Sequence, residues 1–124
     1  MIVGLDHVQL AMPAGAETAG RQFYGDLLGL REIPKPEPMR GRGGCWFDGP
    51  GVQLHLGVEA EFRPARKAHP AFLVADLEAM RARLLAAGVP ITLDDALPDA
   101  PRFHAYDPFG NRLEFIQNGS GFRK

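Results

Sequence analysis

The sequence predicts an α+β fold made of two βαβββ modules, with the helices on the outer face of the sheets. Two observations lead to this prediction. Each half of the chain shows a strand pattern, an amphipathic helix and three short extended segments in the same order, and the halves then align residue by residue. The 124 residues, 45% of them hydrophobic, suit one domain with a buried core. We place the modules at residues 1–56 and 69–117, joined by a linker at 57–68.

The first half opens with a strand predicted over Val3–Met12, in which alternate side chains share a face. Apolar residues at helical spacing follow, and Gly29 can end that helix. The glycine-rich stretch Gly41–Gly44 lacks the strand-to-helix context of a phosphate loop, so we expect a flap there. Three extended segments complete the module, separated by Pro and Gly: Arg31–Pro34, Gly44–Phe47 and Val52–Leu56.

The second half repeats this order. A strand is predicted over His69–Val74, and Asp76 can cap the N-terminus of a helix that ends at Gly88. Asn118–Lys124 is expected to be a loose tail. The predicted apolar face of the helix comprises Leu77, Met80, Leu84 and Leu85. The extended segments are Ile91–Leu93, Arg102–Tyr106 and Arg112–Gln117.

The alignment of the two halves pairs residues that carry chemistry. Phe47-Asp48 matches Tyr106-Asp107 and Leu56 matches Phe115, both at an offset of 59 residues (106 − 47 and 115 − 56). This register pairs His55 with Glu114, and the first strands pair His7 with His69. His104 has no partner in this register, so we interpret it as a strand or rim residue with a chance of acid–base work.

Strand parity places His7, His55, His69 and Glu114 opposite the face that packs on the helices. Neutral imidazoles and a carboxylate are the usual ligands of divalent transition metals. Taken singly, each histidine is more often a hydrogen-bonded structural residue, and a dry cavity with satisfied polar groups is the alternative for the set. The convergence of all four favours one divalent metal ion: Zn, Ni, Fe, Mn or Co.

Three further residues are candidate substrate contacts. Gln53 and Arg112 are equivalent in the repeat and share a face with His55 and Glu114, respectively. Either side chain can orient a substrate, and Arg112 suits an anionic group; a surface or supporting role fits them equally well. His104 is the third candidate.

The charge and cysteine content limit the class of partner and the location. A net charge of -1 at pH 7 does not favour binding to nucleic acid or to an anionic membrane, so a small molecule is the expected partner. Cys45 is the only cysteine, which excludes an internal disulfide and suits a reducing compartment. Since no secretion signal or membrane-spanning stretch is recognisable, we expect a cytoplasmic protein.

Four segments resemble the strand, helix and metal-ligand signatures of the glyoxalase/bleomycin-resistance/dioxygenase (vicinal oxygen chelate) superfamily: Leu5–Val8, Phe23–Leu30, Lys67–Phe72 and Asp107–Phe115. The resemblance implies a U-shaped mixed sheet around a central cavity. It also implies metal ligands on the first and last strands of each module, here His7, His55, His69 and Glu114, and a homodimer in which modules are sometimes exchanged.

His55 departs from the family pattern. Glyoxalase I members resembling this chain have glutamate at that position, whereas dioxygenase and fosfomycin-type members use two histidines and a glutamate. Three neutral imidazoles and one carboxylate leave a divalent site with one net positive charge, which makes the ion a stronger Lewis acid. The resemblance further implies that Glu114 moves off the metal to act as the base if the reaction is a proton transfer.

We therefore interpret the chain as a metal-dependent enzyme, a glyoxalase-like lyase or isomerase or a dioxygenase, whose substrate chelates the metal through adjacent oxygens. The alternative is a bleomycin-resistance-type protein that binds a small molecule or antibiotic without turnover. A third interpretation is a structural dimer without activity, because a fold does not by itself establish a function.

Overall fold

The computed structural model describes residues Met1–Ser120. The chain divides into two compact units, Met1–Pro64 and Ala65–Lys124, so that the boundary falls inside the predicted linker. Each unit holds one four-stranded mixed sheet. Among the described residues, no helix is long and apolar enough to cross a membrane.

The sheet of the first unit has the strand order β1-β4-β3-β2. Its edge strand β1 runs parallel to β4, and the other neighbours are antiparallel. The helix α1 continues without a break as a π-helical segment, Arg21–Leu27, and a short 3-10 helix spans Glu37–Arg42. The labelled elements are β1 Val8–Met12, α1 Glu17–Gly20, β2 Arg31–Ile33, β3 Cys45–Gly49 and β4 Val52–Val58.

The second unit repeats this arrangement with the strand order β5-β8-β7-β6. Again the first strand is parallel to the last, and the others are antiparallel. Asp76 caps α2 by accepting a hydrogen bond from the backbone N–H of Ala79, as predicted. The elements are β5 Ala71–Val74, α2 Leu77–Ala86, β6 Ile91–Asp94, β7 Arg102–Tyr106 and β8 Arg112–Gln117. The α+β class and the two βαβββ modules are therefore confirmed.

One face of each sheet packs against the helical elements and forms the core. In the second unit Phe115 stacks on Phe103, with ring centroids 5.3 Å apart, and Leu84 of α2 is fully buried. In the first unit the buried apolar residues are Leu10, Met12, Phe23, Tyr24, Cys45, Phe47, Leu54 and Leu56. Burial of this apolar face turns the side chains of opposite parity toward the other face of each sheet.

Several predicted boundaries differ from the observed ones. β1 begins at Val8 instead of Val3, because its pairing with β4 starts at Leu54 and the exposed segment before it has no strand partner among the described residues. β4 continues to Val58, two residues into the predicted linker. On α2, Leu85 is exposed, because it lies about 100° around the helix from its buried neighbour Leu84.

The predicted flap and the predicted tail are partly ordered. Residues before Gly43 belong to the 3-10 helix, and the backbone N–H of Gly44 donates to Glu17 at 2.8 Å. The side chain of Lys35 donates to the carbonyl of Gly43. In the predicted tail, the backbone N–H of Asn118 donates to Val74, whereas residues 121–124 lie outside the described residues.

The hairpins that end the two modules differ in length by one residue. Asp48 pairs with Gln53 in the first, so four residues separate the partners. Tyr106 pairs with Arg112 in the second, so five residues separate them. The match of Phe47-Asp48 with Tyr106-Asp107 is therefore wrong by one position.

This extra residue changes the interpretation of His104. His104 pairs with Glu114 across the strands, as Trp46 pairs with His55 in the first unit. His104 therefore belongs to the repeat, at the position equivalent to Trp46. The sequence alignment missed this because it assumed equal turn lengths.

Candidate functional site

Glu114 lies at the centre of a polar cluster on the second sheet, because β8 is flanked by β5 and β7. On one side, Nε2 of His69 lies 2.9 Å from Oε1 of Glu114. On the other side, Nε2 of His104 lies 3.5 Å from the same oxygen. His69 precedes β5 by two residues, so strand parity turns it toward the same face as Glu114.

These three side chains form a group that can hold a metal ion. One ligand atom from each of His69, His104 and Glu114 lies within 4.8 Å of the others, and no other group of three such side chains was found in residues 1–120. Two histidines and one carboxylate are a common ligand set for divalent transition metals.

The hydrogen bonds of His69 support a cation at this point. Its Nδ1 lies 2.8 Å from the carbonyl oxygen of Lys67, which can only accept, so Nδ1 carries a proton. Its Nε2 faces the Glu114 carboxylate, which also accepts when ionised. A neutral imidazole has one proton for two acceptors, so Nε2 needs either a second proton or a metal ion beside it. Metal-binding histidines commonly donate their other N–H to a backbone carbonyl in this way.

The surroundings keep Glu114 ionised and His104 neutral. Burial raises the pKa of Glu114, but the hydrogen bond from His69 and the charge of Arg102 outweigh it, so the pKa is lowered overall. Burial, assisted by the positive charge of Arg112, lowers the pKa of His104. An ionised carboxylate and a neutral imidazole are the forms that bind metals.

Arg102 and Asp94 extend this cluster. Nη1 of Arg102 lies 3.1 Å from Oε2 of Glu114, and Nε of Arg102 lies 3.4 Å from Oδ2 of Asp94. Asp94 ends β6 and is the cross-strand partner of Arg102 on β7. Neither residue was among the predicted site residues, although Arg102 shares the strand parity of His104.

Arg112 lies two residues before Glu114 on the same sheet face, as predicted. Its Nε is buried and makes no hydrogen bond in the described part of the chain. Its cross-strand neighbour is Tyr106, whose ring carries the guanidinium of Arg66 at 5.9 Å from the centroid. A buried guanidinium nitrogen without a partner is suited to an anionic ligand.

The predicted ligands of the first unit are arranged differently. His55 is 4% exposed and lies between two rings: Trp46 at 3.7 Å and His7 at 4.1 Å between centroids. Nε2 of His55 lies 3.0 Å from Oε1 of Gln53. Burial, and then the neighbouring His7, lower the pKa of His55, so its ring is neutral near pH 7.

This stack affects how His7 and His55 can bind a metal. The lone pairs of imidazole nitrogens lie in the ring plane, and these two planes are only 18° apart. Rings stacked in this way direct their lone pairs side by side, so they do not converge on one ion. Binding of a single ion by both residues would require one ring to rotate out of the stack.

An open cleft of about 400 Å³ lies on the first unit. His7 and Gln53 border it, so one predicted ligand and one predicted substrate contact share a concave surface. Clefts of this volume hold small organic ligands. The other lining residues are Leu5, Asp6, Val8, Asp48, Gly49, Gly51 and Val52.

The structure thus brings the predicted residues together in two pairs. His69 and Glu114 are in contact within the second unit, and His7 and His55 within the first. His104 joins the first of these pairs, which the sequence analysis did not predict. The turn length between β7 and β8 would have revealed it.

Comparisons with known proteins agree with this fold. The model of the Glyoxalase/Bleomycin resistance protein/Dioxygenase superfamily matches residues 4–115. A crystal structure of a glyoxalase family protein from Bacillus anthracis is 48% identical and has a TM-score of 0.91, over 95% of this chain and 97% of that chain. The fosfomycin resistance protein FosX from Listeria monocytogenes is 17% identical, with a TM-score of 0.77 over 98% of this chain and 94% of that chain, which shows the fold alone. No curated protein matches the sequence.

Proposed function

Because the chain belongs to the Glyoxalase/Bleomycin resistance protein/Dioxygenase superfamily, we propose that it is a divalent-metal-dependent enzyme acting on a small molecule that chelates through adjacent oxygens. The observation that carries this proposal is the cluster of His69, His104 and Glu114, whose possible ligand atoms lie within 4.8 Å of one another on one sheet. The reaction is of the lyase, isomerase or dioxygenase type.

We propose that His69 and Glu114 hold the metal ion, with His7 and His55 as further ligands on the grounds of the repeat and the family signature. A FosX variant from Listeria monocytogenes was crystallised with Mn(II) and 1S,2S-dihydroxypropylphosphonic acid, a molecule with neighbouring hydroxyls. That protein is 18% identical to this chain, so it supports only the capacity of this fold to hold such a pair. Zn, Ni, Fe, Mn and Co all suit the donor set.

A bound divalent ion would supply Lewis acidity to the chelating oxygens of the substrate. The residues of the chain supply the remaining functions. Glu114 presents an ionised carboxylate that accepts a proton in a proton-transfer reaction. His104, kept neutral by burial, offers a third donor nitrogen of the cluster to the ion, and Arg112 offers a guanidinium to an anionic group of the substrate. Gln53 is the proposed substrate contact of the first unit.

We further propose a homodimer in the cytoplasm. Four apolar side chains at the N-terminus are exposed to a degree unusual for a stable monomer surface: Met1, Ile2, Val3 and Leu5. A second copy of the chain covering this segment would bury them. The single free Cys45 suits a reducing compartment. Sedimentation equilibrium of wild type and of Leu5→Glu tests the dimer, which the charge should weaken.

Elemental analysis of protein prepared without a histidine tag tests the enzyme proposal. We expect about one metal ion per chain in wild type, lost in Glu114→Ala and in His7→Ala, because each removes one proposed ligand. Glu78→Ala is the matched control, since Glu78 is an exposed carboxylate on α2 away from the cluster. Comparison of His55→Ala with His7→Ala decides whether the stacked His55 is a ligand.

The metal content also separates the reaction types. Iron would favour oxygen chemistry, whereas zinc, nickel, cobalt or manganese would favour lyase or isomerase work. Sub-stoichiometric metal that is unaffected by Glu114→Ala contradicts the proposal.

The open cleft of the first unit favours a second candidate, a binding protein of the bleomycin-resistance type without turnover. This cleft has a volume of about 400 Å³, and a ligand can bind in it without a metal ion. Calorimetric titration of metal-free protein with bleomycin tests this candidate. Saturable binding that is retained in Glu114→Ala supports it, and no heat of binding contradicts it.

A further inference from the structure

Arg102 connects the proposed metal ligand Glu114 to Asp94, and the proposed reaction gives it no role. The two contacts measure 3.1 Å to Oε2 of Glu114 and 3.4 Å to Oδ2 of Asp94. The side chain of Arg102 is 17% exposed and that of Glu114 is 9% exposed, so salt screens this pair less than a surface pair. An arginine enclosed in this way is held in one orientation.

The two oxygens of Glu114 have different neighbours. Oε1 faces Nε2 of His69 at 2.9 Å and Nε2 of His104 at 3.5 Å. Oε2 faces the guanidinium of Arg102, which lies on β7, the strand that also carries His104, at 3.1 Å. The guanidinium takes up one lone pair of Oε2, and its positive charge opposes a cation beside that oxygen, which favours Oε1 as the atom that meets an ion.

We propose that Arg102 is a positioning residue, which holds Oε2 of Glu114 so that the carboxylate binds the metal through Oε1 alone. This inference rests on the proposed metal site. Movement of Glu114 off the metal would first have to break its contact with Arg102. The arginine therefore stabilises Glu114 in its metal-bound position, and Glu114 can act as a base only after this contact breaks.

Asp94 completes this arrangement. A guanidinium that faces only one carboxylate would offset that carboxylate's negative charge and so weaken its attraction for the ion. Because Arg102 is shared with Asp94, its positive charge is balanced without Glu114, which keeps its charge for the ion. The planar guanidinium can reach both carboxylates at once, whereas the single ammonium of a lysine is a point charge that can satisfy only one of them well.

Titration of the metal-free full-length protein with Co²⁺ tests the proposal. We expect Arg102→Met to weaken Co²⁺ binding about 10–100-fold, the usual effect of losing a partner of a metal ligand. The visible absorption spectrum of bound Co²⁺ should also change, because Oε2 becomes free to coordinate. Arg102→Lys should recover part of the affinity, and Asp94→Asn should weaken binding by less than Arg102→Met.

Arg81→Met is the matched control, because Arg81 is a partly buried arginine of the same unit whose ion pair is with the exposed Glu78. It should leave both the affinity and the spectrum unchanged. A Co²⁺ spectrum and affinity of Arg102→Met that equal those of wild type overturn the positioning role. An equal loss in the Arg81→Met control also overturns it, since the effect would then be general.

A double-mutant cycle in metal-free protein separates this inference from the proposed function. If the contact exists, Arg102→Met lowers the melting temperature by more in the wild-type background than in Glu114→Gln, where only the contact with Asp94 is lost. Equal effects in both backgrounds overturn the contact between Arg102 and Glu114, and with it the positioning role, whatever the metal content. If the two substitutions are coupled but wild type binds no Co²⁺, the contact is a structural ion pair only. This result would contradict the positioning role and the proposed function together.

Discussion

Asn111 joins the turn between β7 and β8 to the start of the second unit, and its replacement by alanine should destabilise the protein strongly. The side chain is completely buried. Its Nδ2 donates to Oδ2 of Asp107, and its Oδ1 accepts from the backbone N–H of Ala65, each at 2.9 Å. Asp107 in turn accepts from the backbone N–H groups of Phe109 and Asn111, which closes the turn.

The magnitude follows from the groups that lose a partner. Asn111→Ala leaves the donor of Ala65 without its acceptor and removes one donor from the Asp107 carboxylate. Each buried polar group left without its partner costs about 1–3 kcal/mol. Partial relaxation and access of water reduce the sum, so we expect a loss of about 2–4 kcal/mol in the free energy of unfolding.

Urea unfolding at constant pH measures this loss, with Asn118→Ala as the control because Asn118 is exposed. The control should stay within about 0.5 kcal/mol of wild type. An Asn111→Ala variant that loses under about 0.5 kcal/mol with an unchanged denaturant slope would refute the reasoning. Because the turn sets the register of His104 against Glu114, the variant should also bind Co²⁺ more weakly while folded.

Two further predictions concern titration and reactivity. Burial lowers the pKa values of His55 and His104, so the unfolded state takes up protons before the folded state as the pH falls below about 6.5. Metal-free protein should therefore lose stability below that pH by up to about 1.4 kcal/mol per pH unit for each histidine. Melting temperatures between pH 8 and 5 check this, and a His104→Gln variant with the same slope as wild type would contradict it. Burial raises the pKa of the Cys45 thiol to about 11. A thiol reagent at pH 8 should therefore leave the native protein unmodified and react fully with the protein in denaturant. Rapid labelling of the native protein would contradict this prediction, because it would show that Cys45 is accessible.

Most elements of the fold were predictable from the alternation along the strands, from the Asp76 cap and from the Pro and Gly residues that separate the segments. α2 begins at its predicted N-cap, and β7 and β8 span the predicted ranges. The start of β1 was not predictable. The alternation in Val3–Leu5 matches a strand, but no strand pairs with this segment among the described residues. Periodicity reports which side chains can share a face, but pairing requires a partner strand.

The candidate site was predictable to the level of a sheet face. Parity placed Glu114 and His69 on one face, and the structure brings them into contact. Parity could not show that His55 lies in a ring stack with Trp46, because ring orientation depends on neighbours in three dimensions. His104 escaped detection for a different reason, since one additional residue in a turn shifts the register of the strand before it.

The two units show how the residue at one equivalent position of the two sheets determines the orientation of the side chains beside it. In the first unit, the neutral ring of His55 lies at the centre, and the flanking Trp46 and His7 stack on it. In the second, the equivalent Glu114 carries a charge, and its neighbours turn nitrogen atoms toward it instead of ring faces. A buried carboxylate must gather donors or a cation, because isolating its charge from water is costly. The carboxylate at the centre of the second sheet is therefore the feature that makes that unit, and not its repeat, the place where a metal ion is expected to bind first.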